Sequence, residues 1–180
     1  METHERKLVL DQLASSEARL LQLVEGLTPE QWHFHETPGR WSIAENIEHV
    51  ITVERRISGA IVKVLEGPAE PEKKAQVAGK DSAVIGLANA RNIKLTAPEA
   101  VQPVGRWPDT AEMIAELRKI RARTVAFAAE TQGDLRNRFF PHIALGDLDC
   151  YQWLVVLSEH GARHALQIEE IKADPAYPAS

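Results

Sequence analysis

Residues 148–172 read LDCYQWLVVLSEHGARHALQIEEIK. Cys150, Trp153, Leu157, Ile168 and Ile171 recur at helical spacing, and Asp174-Pro175 stops the run. Gln152, Glu159, Arg163 and Glu170 fall on the opposite face. The segment is therefore an amphipathic helix with one side turned to a core. His160 and His164 lie on that apolar side. Four residues separate them, so they stand ~40° apart around the helix and ~6 Å apart along it. Two side chains so placed can hold one ion.

Three further segments carry the same period. Leu8, Leu13, Leu20, Leu21, Val24 and Leu27 predict a helix from Thr3 to Glu25, ended by Gly26. Thr28-Pro29 predicts a short helical turn, and Pro38-Gly39 lies in a loop over His33 to Arg40. Ser42-Ile-Ala-Glu45 has the capping-box pattern and opens a helix to Glu66, with Ile43, Ile47, Val50, Ile51, Ile57, Ile61 and Val64 as its stripe. Asp109-Thr-Ala-Glu112 repeats the pattern before a helix to Thr131, whose apolar positions are Met113, Ile114, Leu117, Ile120, Val125 and Phe127.

Between the second and third long helices, residues 67–108 form a proline-rich excursion containing one modest helix over Asp81 to Asn92. Phe139-Phe140-Pro141-His142 and Gly146-Asp147 form the last connection. No strand alternation and no fixed-period repeat stand out. The expectation is an all-α chain: a single domain over residues 1–180, built as a four-helix bundle with a long middle connection.

Composition agrees with a globular chain of 180 residues, 44% hydrophobic and 26% charged. Lys and Arg number 21 against 26 Asp and Glu, a net charge of −5, which argues against nucleic acid as a partner. Cys150 is the single cysteine, which excludes an internal disulfide and a Cys-rich zinc site. The N-terminal METHERKLVLDQ lacks the apolar run of a signal peptide, and no stretch reaches ~18 apolar residues. The expected setting is the cytoplasm, with no membrane partner.

Two imidazoles facing a core need partners, because burial makes them costly to charge. A metal ion resolves that cost. The third ligand expected is His49, at the edge of the second long helix's stripe beside Val53 and Ala60. Three histidines leave a coordination position open, as in catalytic rather than structural sites. The pattern is not that of a zinc protease, because Gly161 and not Glu follows His160. Three imidazoles suit zinc or nickel, and also iron or manganese.

Trp41-Ser42-Ile43-x-Glu45-x-x-x-His49, then Pro141-His142 and Gly146, then His160-x-x-Arg163-His164-x-x-Gln167-Ile168, resembles the DinB-like superfamily. That family includes YfiT-type metal-dependent hydrolases and thiol-dependent S-transferases. Arg91-x-x-Lys94-x-x-Ala97-Pro98 and Pro103-x-Gly105-Arg106-Trp107 are similar to one branch of it. The resemblance implies an up-down-down-up four-helix bundle, a homodimer, and a divalent metal held by His49, His160 and His164.

Other residues have simpler expectations. Glu45 serves the helix cap and Arg163 a structural contact, while Gln167 supports a ligand or a metal-bound water. Trp41 and Trp153 pack in the core, and Cys150 is a small buried apolar residue. His142 is expected to be a solvated or backbone-bonded loop residue, with a general acid or base at the pocket as the alternative role. His4, His33 and His35 are expected to be peripheral, with an adventitious metal contact at His33-x-His35 as the alternative. Two enzyme chemistries suit an open three-His site: hydrolysis of a small-molecule substrate by activated water, or transfer through a low-molecular-weight thiol. The alternative classes are a non-catalytic or stress-associated metal-binding bundle and a dimeric interaction module.

Overall fold

The computed structural model describes residues 1–89 and 96–179. Four long helices dominate: α1 (Thr3–Val24), α3 (Ile43–Leu65), α6 (Thr110–Glu130) and α7 (Cys150–Lys172). Short helices α2 (Pro29–Trp32), α4 (Lys74–Val77) and α5 (Lys80–Ile85) lie in the connections. No helix among the described residues is long and apolar enough to cross a membrane.

Side-chain pairings give the direction of each helix. Gln12 meets Ser158, Arg19 meets Glu169, and Lys172 donates to the Leu23 carbonyl, so α1 and α7 run parallel. Asn46 meets His164 and His49 meets His160, so α3 opposes α7. Arg55 reaches Glu116 and Ser58 meets Thr124, so α3 and α6 are parallel. Arg6 caps the carbonyls of Ala128, Ala129 and Thr131, while Arg121 reaches Leu13, so α6 opposes α1. The bundle is therefore up-down-down-up. Its side-by-side pairs are α1–α7, α7–α3, α3–α6 and α6–α1.

This topology explains the middle excursion. A parallel neighbour cannot be reached by a tight turn, because the chain must first return along the whole bundle. For α3, with 23 residues, that return is ~35 Å at ~1.5 Å per residue.

The core includes the predicted stripe residues Leu13, Leu20, Ile43, Ile47, Ile51, Ile61, Leu117 and Leu157, fully buried. It adds Val9, Leu154 and Gln152, the last expected on the polar face, while Leu8 is only partly buried. At their centre lies a charged brace that the stripes do not reveal. Arg121, on α6, is 0% exposed. It donates to Glu54 Oε2 on α3 at 2.8 and 3.2 Å, and to the Leu13 carbonyl and Ser16 Oγ on α1 at 2.8 Å each. A Cβ added to Gly161 on α7 would meet its guanidinium at 3.4 Å. One side chain thus abuts all four long helices.

Several local expectations need correction. Residues in the last connection form an antiparallel hairpin, β1 (Phe139–His142) with β2 (Gly146–Asp149), and not an irregular link. Strands of four residues that include Pro141 are too short to display alternation, and Gly146 at φ 65° supplies the turn conformation. The last helix starts at Cys150, not Leu148, because Asp149 is its N-cap and closes a box with Gln152. Asp109 caps α6 through the Ala111 N–H at 2.7 Å, but Glu112 does not complete a box. The stripe of α6 passes through Thr124 and Ala128 in place of Val125 and Phe127. The helix expected over 81–92 is α5 followed by a 3-10 turn at Leu87–Asn89; positions 90–92, like Arg91 and Lys94, lie outside the described residues.

Candidate metal centre

The N-terminal turns of α3 are held by the Ser42–Glu45 box, in which Glu45 accepts from the Ser42 N–H at 2.7 Å. That cap presents Asn46 and His49 on one face, one turn apart. The facing turn of α7 presents His160 and His164. The three imidazoles converge: His160 Nε2 is 3.2 Å from His49 Nε2 and 3.2 Å from His164 Nε2. His49 and His164 are buried, and His160 is partly exposed. Among the described residues this is the one grouping of three or more such ligand side chains placed to share an ion, and no carboxylate or thiol joins it as a fourth ligand.

The outer nitrogens decide the tautomers. His49 Nδ1 lies 2.7 Å from the Val101 carbonyl, which only accepts, so Nδ1 carries the proton. Asn46 donates its amide to the Ser42 carbonyl at 2.8 Å, which turns its Oδ1 toward His164 Nδ1 at 2.8 Å. His164 is therefore protonated at Nδ1 as well. Both rings aim an Nε2 lone pair inward, where three nitrogens carry at most one proton among them. Burial pushes His160 well below its ordinary range, with His49, Arg163, Arg121 and His142 adding to the effect. Burial also lowers His49, against the opposing effect of its bond to Val101. His49 and His160 are thus biased toward the neutral form, the one that ligates.

The spacing fits a cation. With ~2.1 Å bonds, two nitrogens of one metal stand ~3.0 Å apart at right angles and ~3.4 Å apart at the tetrahedral angle. The two pairs that include His160, at 3.2 Å each, lie between, and all the ligand atoms fall within 4.8 Å of one another.

The surroundings extend what the sequence showed. Trp41 is not simply a core anchor: its ring centroid lies 4.7 Å from that of His49 and 6.2 Å from that of His164, so it walls the cluster. Trp41 and Asn46 also line a cleft of about 340 Å³ with Thr96, Gln102, Gln167 and Ile171. Gln167 Oε1 is buried without a hydrogen-bond partner among the described residues. The excursion grips the site from both sides. Glu159 accepts from the Ala88 N–H at 3.1 Å and Arg163 reaches the Leu87 carbonyl at 3.4 Å on α7, while Val101 meets His49 on α3.

The remaining histidines are not among the grouped ligand side chains. His142 Nδ1 accepts from the Ala144 and Leu145 N–H groups at 3.1 and 3.2 Å, and its ring lies 5.2 Å from Trp153. It caps the hairpin turn. His35 Nδ1 lies 2.8 Å from the Arg40 carbonyl and 3.6 Å from Glu45, and His33 is exposed at the end of α2. These two belong to the entry loop. Cys150 is fully buried, and burial pushes its thiol up to about 12, which leaves it inert as a nucleophile.

A family model for the DinB superfamily matches residues 12–168. The chain belongs to the DinB superfamily. The chain is 28% identical over 149 residues to the uncharacterized protein YuaE of Bacillus subtilis (strain 168), covering 83% of this chain and 88% of YuaE. Its fold is similar to that of YfiT from Bacillus subtilis, described as a probable metal-dependent hydrolase with an unusual four-helix bundle topology. The TM-score is 0.66 at 18% identity, over 99% of this chain and 91% of YfiT.

Proposed function

We propose that this DinB-superfamily chain binds one divalent metal ion through Nε2 of His49, His160 and His164, and that it is a metal-dependent enzyme acting on a small molecule. The observation that carries the proposal is the convergence of three imidazoles, two of them with their outer nitrogens held by Val101 and Asn46. The description of YfiT as a probable metal-dependent hydrolase supports the same reading. Zinc and nickel suit the donor set best; iron and manganese are accommodated by the same nitrogens.

A divalent cation held by His49, His160 and His164 would supply Lewis acidity, favouring the deprotonated form of water or of a low-molecular-weight thiol near neutral pH. The protein's own part is orientation and exclusion. Val101 and Asn46 hold two rings against rotation. Trp41 keeps solvent from one side of the cluster, and the adjoining cleft offers room for a substrate between the entry loop, the excursion and α7. Three side-chain ligands, with no fourth among the described residues, leave space for the reacting group, which favours an enzyme over a purely structural site. The expected homodimer belongs to the same proposal and is checked by light scattering.

The test is elemental analysis of the purified protein, with His49→Ala and His160→Ala beside it. One equivalent of metal in the wild type and less than a tenth in either variant supports the reading. No metal in the native protein, and no uptake of added zinc or nickel, removes it. A screen of metal-loaded protein against esters and amides, with and without low-molecular-weight thiols, then separates hydrolysis from thiol transfer.

A further inference from the structure

Glu48 precedes His49 on α3, and it is 2% exposed. A buried carboxylate is costly unless donors surround it. Here its Oε1 accepts from the Val104 N–H at 2.8 Å and from Arg106 Nη1 at 2.7 Å. Its Oε2 accepts from the Gly105 N–H at 2.9 Å and the Arg106 N–H at 3.1 Å. Three consecutive backbone amides close on one carboxylate, forming an anion nest. Gly105 sits at φ 74°, a left-handed conformation that a side chain would strain, and this turns the amides to one side. Arg106 also donates to the Gln102 carbonyl at 3.2 Å, tightening the same stretch.

Three residues before the nest, the Val101 carbonyl ends a 3-10 turn over Glu99–Val101 and accepts from His49. Glu48 and His49, adjacent on α3, therefore hold two ends of one six-residue strap. The other oriented ligand differs. His164 is set by Asn46, whose amide is anchored within α3 itself.

We infer that Glu48 is a positioning residue for the metal centre: it fastens residues 104–106, and through them places the Val101 carbonyl that orients His49. The inference rests on the metal reading above. Coupling of this kind is reciprocal. A cation on His49 Nε2 makes Nδ1–H a stronger donor to Val101. Metal loading thus tightens the strap, and loosening the strap weakens the metal.

The test uses cobalt(II) as probe, followed by its visible absorption, on wild type, Glu48→Gln, Gly105→Ala and Arg106→Met. Glu48→Gln keeps the side chain's shape but puts an amide N–H against backbone donors. Gly105→Ala attacks the strap and leaves the helix intact. Cobalt affinity is expected to fall ~10- to 100-fold in Glu48→Gln and Gly105→Ala, and less in Arg106→Met, which spares the three backbone amides. Hydrogen exchange at the 104–106 amides is expected to slow on metal loading in wild type and to respond less in Glu48→Gln. A helical circular-dichroism spectrum like that of wild type marks each variant as folded; if Glu48→Gln fails that check, Gly105→Ala and Arg106→Met decide. Wild-type affinity in the folded variants, or exchange at 104–106 indifferent to metal in wild type, overturns the inference and leaves the metal site standing. Absence of cobalt uptake by the wild type removes the metal reading itself, and this inference with it.

Discussion

Arg121→Met tests how the bundle is braced behind the candidate site. The substitution removes the guanidinium that meets Glu54, Ser16 and the Leu13 carbonyl. It leaves the Glu54 carboxylate 2% exposed with its main partner gone, while Oε1 already has no partner among the described residues. Breaking a buried pair from one side costs ~3–5 kcal/mol. For a chain of this length each kcal/mol shifts Tm by ~2–4 °C, so a fall of ~6–20 °C is expected. The double variant Arg121→Met/Glu54→Leu should recover most of the loss, because no charge remains to be desolvated and apolar volume replaces an incompletely satisfied pair. Thermal and urea unfolding of the wild type, both single variants and the double variant, all metal-free, complete the cycle. A single-variant cost below ~1 kcal/mol, or a double variant as unstable as the sum of the singles, refutes the claim that this pair acts as a coupled unit at the centre of four helices.

Other outcomes follow from the site. Metal-free protein should lose stability in acid: burial keeps His160 and His49 below the ordinary imidazole pKa of ~6.5, so below about that pH the unfolded chain binds more protons. Stability from these rings is complete above ~6.5 and falls toward the depressed folded values by at most ~1.4 kcal/mol per pH unit per ring. Urea midpoints at pH 7.5 and 5.5 measure this, and His160→Asn should flatten the difference; the raised carboxyls of Glu17, Asp149 and Glu159 act with the opposite sign but are common to both proteins. Saturating metal at ~100 times Kd should stabilise the wild type by ~2.7 kcal/mol, and His160→Ala should not respond. Cys150 should resist a chromogenic thiol reagent at pH 8 until the chain is unfolded; rapid native labelling contradicts its burial. His142→Ala should keep full metal stoichiometry and lose ~1 kcal/mol from the hairpin turn, whereas loss of metal would assign it to the centre.

Much of the chain was legible because its signals are local. Periodic leucines and isoleucines mark the long helices, and the Ser42–Glu45 box marks a start that the structure reproduces. His160 and His164 share a face by helical geometry alone. The hairpin escaped for the reason already seen in Pro141 and its short strands. The Asp109 cap was found but not its failed return contact, because whether Glu112 bends back depends on a rotamer and not on spacing.

By itself, then, the amino-acid order determined where the long helices run, the main apolar positions of their faces outside the second half of α6, and that two imidazoles lie on one such face, since these follow from contacts within about one helical turn. Only the tertiary structure decided which side chains meet across the bundle: His49 with His160, Arg121 with Glu54, and Glu48 with three amides at residues 104–106. Those partners are 111, 67 and 56 to 58 positions apart, and a lone Glu or Arg on a helix reads as solvated surface until another helix covers it. The physical reason is that helix periodicity places a side chain on a face, whereas the up-down-down-up packing determines what that face encounters.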